Sequence, residues 1–521
     1  MPGTVTRRFR VHNAEQFHEA FSEAAATNMY LFISRVSSWD DDNDPPTPTD
    51  SIQVTEYDNW REMIGAKRAQ SADVTFAVPR YDWTTGKVYR EYNTSSSTLF
   101  DAPASSNTFY VMNSNYDVYK CLFNNKAASS TVEPTGTSTS TLVTADGYHW
   151  KYMYSVDAGS ALKFLTTNWH PVKTLTSDDG SAQWDVQAAA ANGAINIIDV
   201  TAGGSSYESQ TGTLAGVSSS TIMDLSSGAS ADNGRYTGGA LYISSGLGSG
   251  QVRNITNYVG ATKRVTVSPA FTVTPNTTST YLVGPRVTIT GDGSGAAAYA
   301  NVNSGAINYV NMVAVGSNYS QATVTITSNT SHGSGGTASA YIAPPGGHGS
   351  DPVGELAGHN VIVNVQLIGS ETDTLPTTND FRAFGIIRDP KLLSNGSVAT
   401  SSSYDQTTQL TVSSVSGSGN FTLDEVIRGG TSGASGKLVS FANTNAANTA
   451  GVIRVLDSKS NGTFTTSETL TGLTSGVTST LSSISYGTLK PYTGDILYIE
   501  NRGPIARASD QIEDIKLIVK F

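Results

Sequence analysis

The chain repeats itself at two different spacings, and this confines it to folds in which a short strand unit is duplicated. GAIN occurs at 193–196 and again at 305–308, and GSSY at 204–207 is answered by GSNY at 316–319; both offsets are 112 residues. VTIT then occurs at 287–290 and 324–327, and GSGAAAY at 293–299 is answered by GSGGTASAY at 333–341. The unit is therefore GAIN, GSxY, VTIT, GSG, AY. Tyr319 and Val324 are five positions apart, whereas Tyr207 and Val287 are eighty apart, so about 75 residues near 212–285 interrupt the first copy. That segment has strand signals of its own (ALYISS, QVRNIT, RVTVSP, STYLVG) and reads as a small β module inserted at an exposed turn. A second system pairs GNFTLDEVIRGGTSGASG from Gly419 with GTFTTSETLTGLTSGVTS from Gly462, at an offset of 43. Each of its copies should be a strand, a polar turn and a strand, and stacking the two buries a Phe, Val and Leu layer.

A chain of 521 residues predicts several domains, and abundant Gly, Ser and Thr with few charged residues suits short strands joined by turns. With 24 Tyr, 16 Phe and 6 Trp it can build cores. The expected fold is mainly β: sandwich-like modules, with a few short helices in the N-terminal domain. The expected domains are a core at 1–185 completed by 489–521, a Gly/Ser-rich repeat domain at 186–350, a return to the core at 351–400, and the second repeat module at 401–488. The closing stretch GDILYIENRGPIARASDQIEDIKLIVKF, from Gly494 to Phe521, alternates too regularly for a loose tail and should dock into the N-terminal sheet. A helix is expected from Asn13 (as N-cap) to Ala26, with Phe17, Ala20, Phe21 and Ala24 on one face. Strands are expected at 29–35 and 74–78, and a second helix at about 57–63.

The net charge of −11 without a basic run gives no electrostatic footprint for nucleic acid or an anionic membrane. No apolar run reaches the ~20 residues of a spanning helix, and the N-terminus MPGTVTRRFR lacks the apolar core of an export signal. The expectation is a protein made in the cytosol and not inserted in a membrane. The single cysteine, Cys121, allows no intramolecular disulfide and reads as a buried strand residue.

Candidate chemistry is sparse, and no cofactor or metal is expected. Asp40, Asp41, Asp42 and Asp44 lack the Gly and Glu spacing of a calcium loop and read as a solvated turn beside Pro45, Pro46 and Pro48. Arg80 and Asp82 read as a salt bridge packed with Trp83, and His170 as structural. His348, Asp351 and His359 fall short of a ligand set. GDGSGA and GSGGT lack the Lys-Ser/Thr of a phosphate loop and read as tight turns. Glycan hydrolysis would need two placed carboxylates, and Asp424, Glu425 and Glu468 sit at repeat positions, which suits a structural role.

Several blocks resemble the baseplate wedge protein of T-even-type contractile-tailed phages, the gene product eight family. They are LFIS with the Trp39 acidic loop and PPTPTDS, the segment around Trp60, VPRYDW (78–83), DVYKCL (117–122), DGYHWKYMYSV (146–156) and the closing GDILYIENRGPI…DQIEDIKLIVKF. PGGHGSD and TTNDFR…IIRDP resemble versions from related phages of cyanobacteria. The resemblance covers about the first 160 and last 30 residues and omits the repeats. It implies a non-enzymatic virion protein of the tail baseplate, assembled in the host cytoplasm, mainly β, dimeric, and bound to other wedge proteins. It singles out Trp39, Trp60, Arg80, Trp83, Trp150, Glu500, Asn501, Arg502 and Pro504 as partner-interface or structural-motif residues, with Arg502 pairing with Glu500 or Asp510. The alternative is a tail-spike-like protein that binds or cleaves carbohydrate, with the Ser/Thr/Tyr/Asn-rich inserts as a platform for a host-surface glycan.

Overall fold

The computed structural model describes residues 3–23, 27–96, 98–100, 108–328, 332–371, 374–416, 420–457 and 462–521. The protein is mainly β with a few short helices. It forms two compact units, one of Met1–Ala77, Leu162–Leu165 and His359–Phe521, the other of Val78–Ala161 and Thr166–Gly358. The break at residues 77 and 78 differs from the sequence expectation of one domain over 1–185. It falls inside the strand Val74–Pro79, where composition does not change and only the strand's partners do.

The first unit is built on the strand Met29–Ser34, buried along its whole length. Its side chains alternate between two cores. Met29, Leu31 and Ile33 enter one with Val361, Val363, Phe384, Ile386 and Leu517, while Tyr30 and Phe32 enter the other with Trp60, Met63, Ile387 and Tyr404. The sheet order is Ser403–Asp405, Met63–Ala69, Met29–Ser34, Asp380–Arg388, Asp495–Ala506, all antiparallel. Facing it, Ile512–Lys520 pairs along all nine residues with Asn360–Ile368, which pairs in turn with Val74–Pro79. Both ends of the chain therefore meet on strands that follow the first repeat. Gly385 sits at the crossing: a Cβ there would lie 2.1 Å from the Tyr498 carbonyl oxygen and 2.7 Å from the Phe32 ring.

Two helical expectations change. The first helix is Arg7–Glu19, capped by Thr6, whose hydroxyl accepts from the Phe9 N–H at 3.3 Å. It starts earlier because Thr6 offers a cap before Asn13 does. Phe17 and Phe21 still pack on the core, and Ala24 lies outside the described residues. The second helix is a wide turn at Ile52–Asp58 and a single α turn at Asn59–Arg61. The following segment is the strand Met63–Ala69, since the sheet supplies its backbone partners.

Both repeat systems close on themselves with one topology. In the second, strands Thr408–Ser413, Gly451–Asp457, Ser435–Asn443, Val426–Gly429, Thr469–Gly472 and Thr478–Ser485 follow one another around a closed barrel. In the first, the order is Ala322–Thr327, Arg286–Gly291, Ser294–Asn303, Ala306–Ser317, Ile195–Ser205, Ser334–Ile342, and the two end strands also lie alongside each other. Matching the copies strand for strand gives the same neighbours in both modules. Equivalent residues pair with each other: Ile198 with Val310 and Thr288 with Thr325 in one, Leu410 with Ile453 and Arg428 with Thr471 in the other. A pseudo-twofold axis therefore runs through each module. The 75-residue interruption is a separate seven-stranded sheet with its own core of Leu241, Ile243, Tyr258, Val265, Tyr281 and Val283.

Each copy holds a side chain of the other. The Tyr207 N–H donates to the Gly305 carbonyl at 2.9 Å, and the Tyr319 N–H to the Gly193 carbonyl at 3.2 Å. Each ring fills the space left by the other copy's GSG turn, where a Cβ on Gly333 would meet Tyr207 at 2.3 Å and one on Gly293 would meet Tyr319 at 2.5 Å. In the second module the buried Glu425 carboxylate accepts from the Thr474 and Ser475 N–H groups, both at 2.9 Å, and from the Ser475 hydroxyl. Glu468 does the same with the N–H groups of Thr431 and Ser432, at 3.0 and 2.9 Å, and the Ser432 hydroxyl. Burial raises both carboxyl pKa values, but these donors outweigh it and hold them below the ordinary 4.5.

Two predictions follow from this packing. Gly385→Ala should destabilise the first unit by about 1–3 kcal/mol or more, read as a lowered thermal midpoint of the full chain. Glu425→Gln or Glu468→Gln leaves buried donors poorly matched and should cost about 1–3 kcal/mol. Because both carboxyl pKa values are depressed, their contribution is full above the ordinary value of 4.5 and is lost as pH falls through the lowered value. Urea titrations between pH 7 and pH 3 should thus show a flatter acid limb for the double Gln variant.

Candidate interface at the closing strand

The closing strand Asp495–Ala506 lies at the edge of its sheet. Its register against Asp380–Arg388 slips twice, between Phe381 and Ala383 and between Ile386 and Ile387. The polar run Glu500–Pro504 therefore bends towards the acidic loop instead of lying flat. Trp39 Nε1–H donates to the Arg502 carbonyl at 2.8 Å, and Asn501 Nδ2 donates to the Pro46 carbonyl at 2.8 Å. Arg502 pairs with Glu500, not with Asp510, and Glu500 also accepts from the Tyr498 hydroxyl at 2.9 Å. Pro504 is exposed. The Trp39 contact caps the Arg502 carbonyl, a backbone group that an edge strand would otherwise offer to any passing strand.

Arg382 fixes the loop from below. It is nearly buried and makes a two-pronged contact with Asp42, Nε to Oδ1 and Nη2 to Oδ2, both at 3.0 Å. Its Nη1 donates to the Val36 carbonyl at 2.7 Å and to Asp380 at 2.6 Å. The guanidinium, helped by the Trp39 N–H at 2.8 Å, holds the Asp42 carboxyl below its usual range. Asp42 is thus committed to a structural pair, and among the described residues no three His, Cys, Asp or Glu side chains gather as a metal site. Above the loop, the Arg35 guanidinium lies 3.7 Å from the Trp39 ring centroid and pairs with Glu62 at 3.3 Å.

Beside Trp39 runs a groove of about 280 Å³ lined by Pro46, Pro48, Val54, Thr55, Ile499 and Asn501. Val54 on its lining is 52% exposed, and Ile52, in the same wide turn, is 63% exposed. Nearby Tyr57 and Tyr492 meet edge to face at 4.9 Å. Aromatic and aliphatic side chains left outside on one face, bordered by Arg35 and Glu62, have the make-up of a docking surface.

Trp60, Arg80, Trp83 and Trp150 are not among the residues that line this groove. Trp60 is buried in the core beneath it. Trp150 is buried in a tyrosine-rich cluster, stacked on Tyr148 at 5.4 Å, and Cys121 is buried in the same cluster, where burial pushes its thiol pKa up. Trp83 packs on that cluster and donates to Ser130 Oγ at 3.1 Å. Arg80 binds Asp82 at 2.8 Å and the Thr166 carbonyl at 3.1 Å. His170 is buried against the Tyr154 hydroxyl, and burial lowers its pKa to about 4. Asp351 caps the helix Pro352–Glu355.

One buried group escaped the sequence reading. Glu355, which accepts from the Gly349 N–H at 2.8 Å, pairs with Lys120. It lies beside Lys151, whose pKa burial lowers to about 8, and His348, also lowered by burial. Lys120 sits in a strand whose alternation looks ordinary, and its partner is 235 positions away. No local signal could have found it.

Replacing Trp39 with Ala should uncover the backbone at 499–506. Hydrogen–deuterium exchange of the full chain should then show faster uptake there and at 38–50, with the strand at Asn360–Ile368 unchanged.

No curated protein matches the chain. The matched family span contains the strand Met29–Ser34, the Trp39 loop and Trp60, and it stops short of the 146–156 block, the repeats and the closing strand. Residues 3–132, roughly the first quarter of the chain, match the family model Phage-Gp8, described as Bacteriophage T4, Gp8, so the chain's N-terminal region is similar to the gene product eight family.

Proposed function

We propose that the protein is a component of the baseplate wedge of a contractile tail and works by docking to other wedge proteins. The observation that carries this reading is the family match over residues 3–132. The matched segment supplies Trp39, Pro46, Pro48 and Val54, which line the groove beside the closing strand. In this reading the groove and the apolar rim around Ile52 bury against a neighbouring wedge protein, on the ~1,200–2,000 Å² scale of stable interfaces. The chain acts as a homodimer, is assembled in the host cytoplasm and resides in the tail baseplate of the virion. Its core domain comes from the two ends of the chain, and the repeat modules are elaborations upon it.

The reading is non-enzymatic. The carboxylates with the best claim to glycan cleavage, Glu425 and Glu468, are each saturated by backbone and hydroxyl donors. A carboxylate so occupied has no lone pair left for a substrate proton or a glycosyl carbon.

The test is co-purification of the full chain with candidate wedge proteins, followed by mass measurement of the intact complex. A stable complex containing two copies of this chain is expected. A Val54→Asp substitution on the rim should abolish that complex while leaving the thermal midpoint unchanged. A chain that stays monomeric and binds no wedge protein overturns the reading.

A further inference from the structure

A second groove lies in the other unit, between the tyrosine-rich sheet and the first repeat barrel, with a volume of about 290 Å³. It sits where the pseudo-twofold axis emerges, at the paired Ile198 and Val310. Asn196 and Asn308, the last residues of the two GAIN motifs, therefore both line it as symmetry equivalents. Asn196 is half-buried and Asn308 exposed, and among the described residues neither side-chain amide hydrogen-bonds to another protein group. The exposed Lys126 and Tyr309 and the half-buried Thr141 also line the groove. The His149 ring sits edge-on to Phe123 at 5.4 Å and completes an aromatic wall. Burial lowers the His149 pKa, so near neutral pH the ring is uncharged and offers one donor and one acceptor.

We propose that this groove binds a short oligosaccharide. The chemistry of the lining selects that class. Paired amides present a donor and an acceptor side by side, and vicinal sugar hydroxyls are each both donor and acceptor. The aromatic and aliphatic floor (Phe123, Tyr309, Val310) suits the apolar face of a pyranose ring, as amphipathic aromatic surfaces do. The volume is at the low end of the ~300–1,000 Å³ typical of small-ligand sites. Among the described residues no carboxylate lines the groove, so the proposed site holds its ligand without the acid pair of a glycosidase. A lone lysine favours saccharides that carry an acidic substituent over purely neutral ones. A peptide partner is the rival occupant, and the experiment separates the two.

The full chain is titrated with di- to tetrasaccharides built from hexoses, N-acetylhexosamines and hexuronates, followed by saturation-transfer NMR and calorimetry. At least one of these saccharides should bind with a Kd of about 1 mM or tighter. The double variant Asn196→Ala, Asn308→Ala should weaken it by at least about tenfold with an unchanged thermal midpoint, because neither amide supports the fold. Tyr309→Ala should weaken it independently. The proposal is overturned if none of the saccharides binds, or if the double variant binds as well as the native chain. It is also overturned if a wedge protein shields 196–200 and 308–312 from deuterium exchange and no saccharide competes with it. These outcomes are independent of whether the chain assembles into a wedge.

Discussion

The structure depends on the hydrogen-bond ladder of the strand Asp380–Arg388. On one side it pairs with Met29–Ser34 over six consecutive residues, on the other with the closing strand. Burying Met29–Ser34 on both faces is affordable only because its backbone is satisfied on both edges, by Asp380–Arg388 and by Met63–Ala69. The close approach at Gly385 sets the spacing of the sheet, since any side chain there would push Tyr498 or Phe32 aside. The Trp39 groove inherits its shape from this arrangement. Arg382 of the same strand reaches Asp42, Asp42 holds the Trp39 N–H, and Trp39 covers the closing strand.

The two repeat modules solve one packing problem in two ways. A unit of three strands cannot cover its own apolar face, and pairing two units about an axis covers both. Exchange of side chains makes the pairing specific. In one module the exchanged group is a tyrosine received by glycine turns, and in the other a glutamate received by serine and threonine N–H groups. The glutamate version confers a dependence on pH. It also gives the recurring glycine-rich and acidic motifs a role in packing.

Much of this was legible in the sequence because repetition is a local property that can be read by alignment of the chain with itself. The interruption of the first repeat, the strand–turn–strand form of the second and the docking of the closing stretch all follow from spacing and alternation. What escaped was set by distant partners. The helix expected at about 57–63 gives way to the strand Met63–Ala69, because nothing nearby announces the sheet that claims that strand. The division at residues 77 and 78 falls within one strand. Arg382 carries no local signal, and its partner Asp42 lies 340 positions earlier. Trp39 and Trp60 look alike in sequence, yet one borders a groove and the other fills a core, a distinction that only tertiary packing makes.

The distance along the chain between Met29–Ser34 and its central partner has a consequence for synthesis. About 350 residues separate Ser34 from Ala383, the residue it faces. At ribosomal rates of ~5–20 residues per second, an apolar strand with an unfilled edge waits on the order of 20–70 s for that partner to be made. The intervening barrel and its inserted sheet can close on themselves during that interval, because their strands pair only within residues 195–342. The N-terminal strand cannot. Its shelter until then falls to Met63–Ala69, which is translated within a few seconds of it, or to chaperones, so the nascent chain rather than the finished protein is where this architecture is most exposed to misassembly.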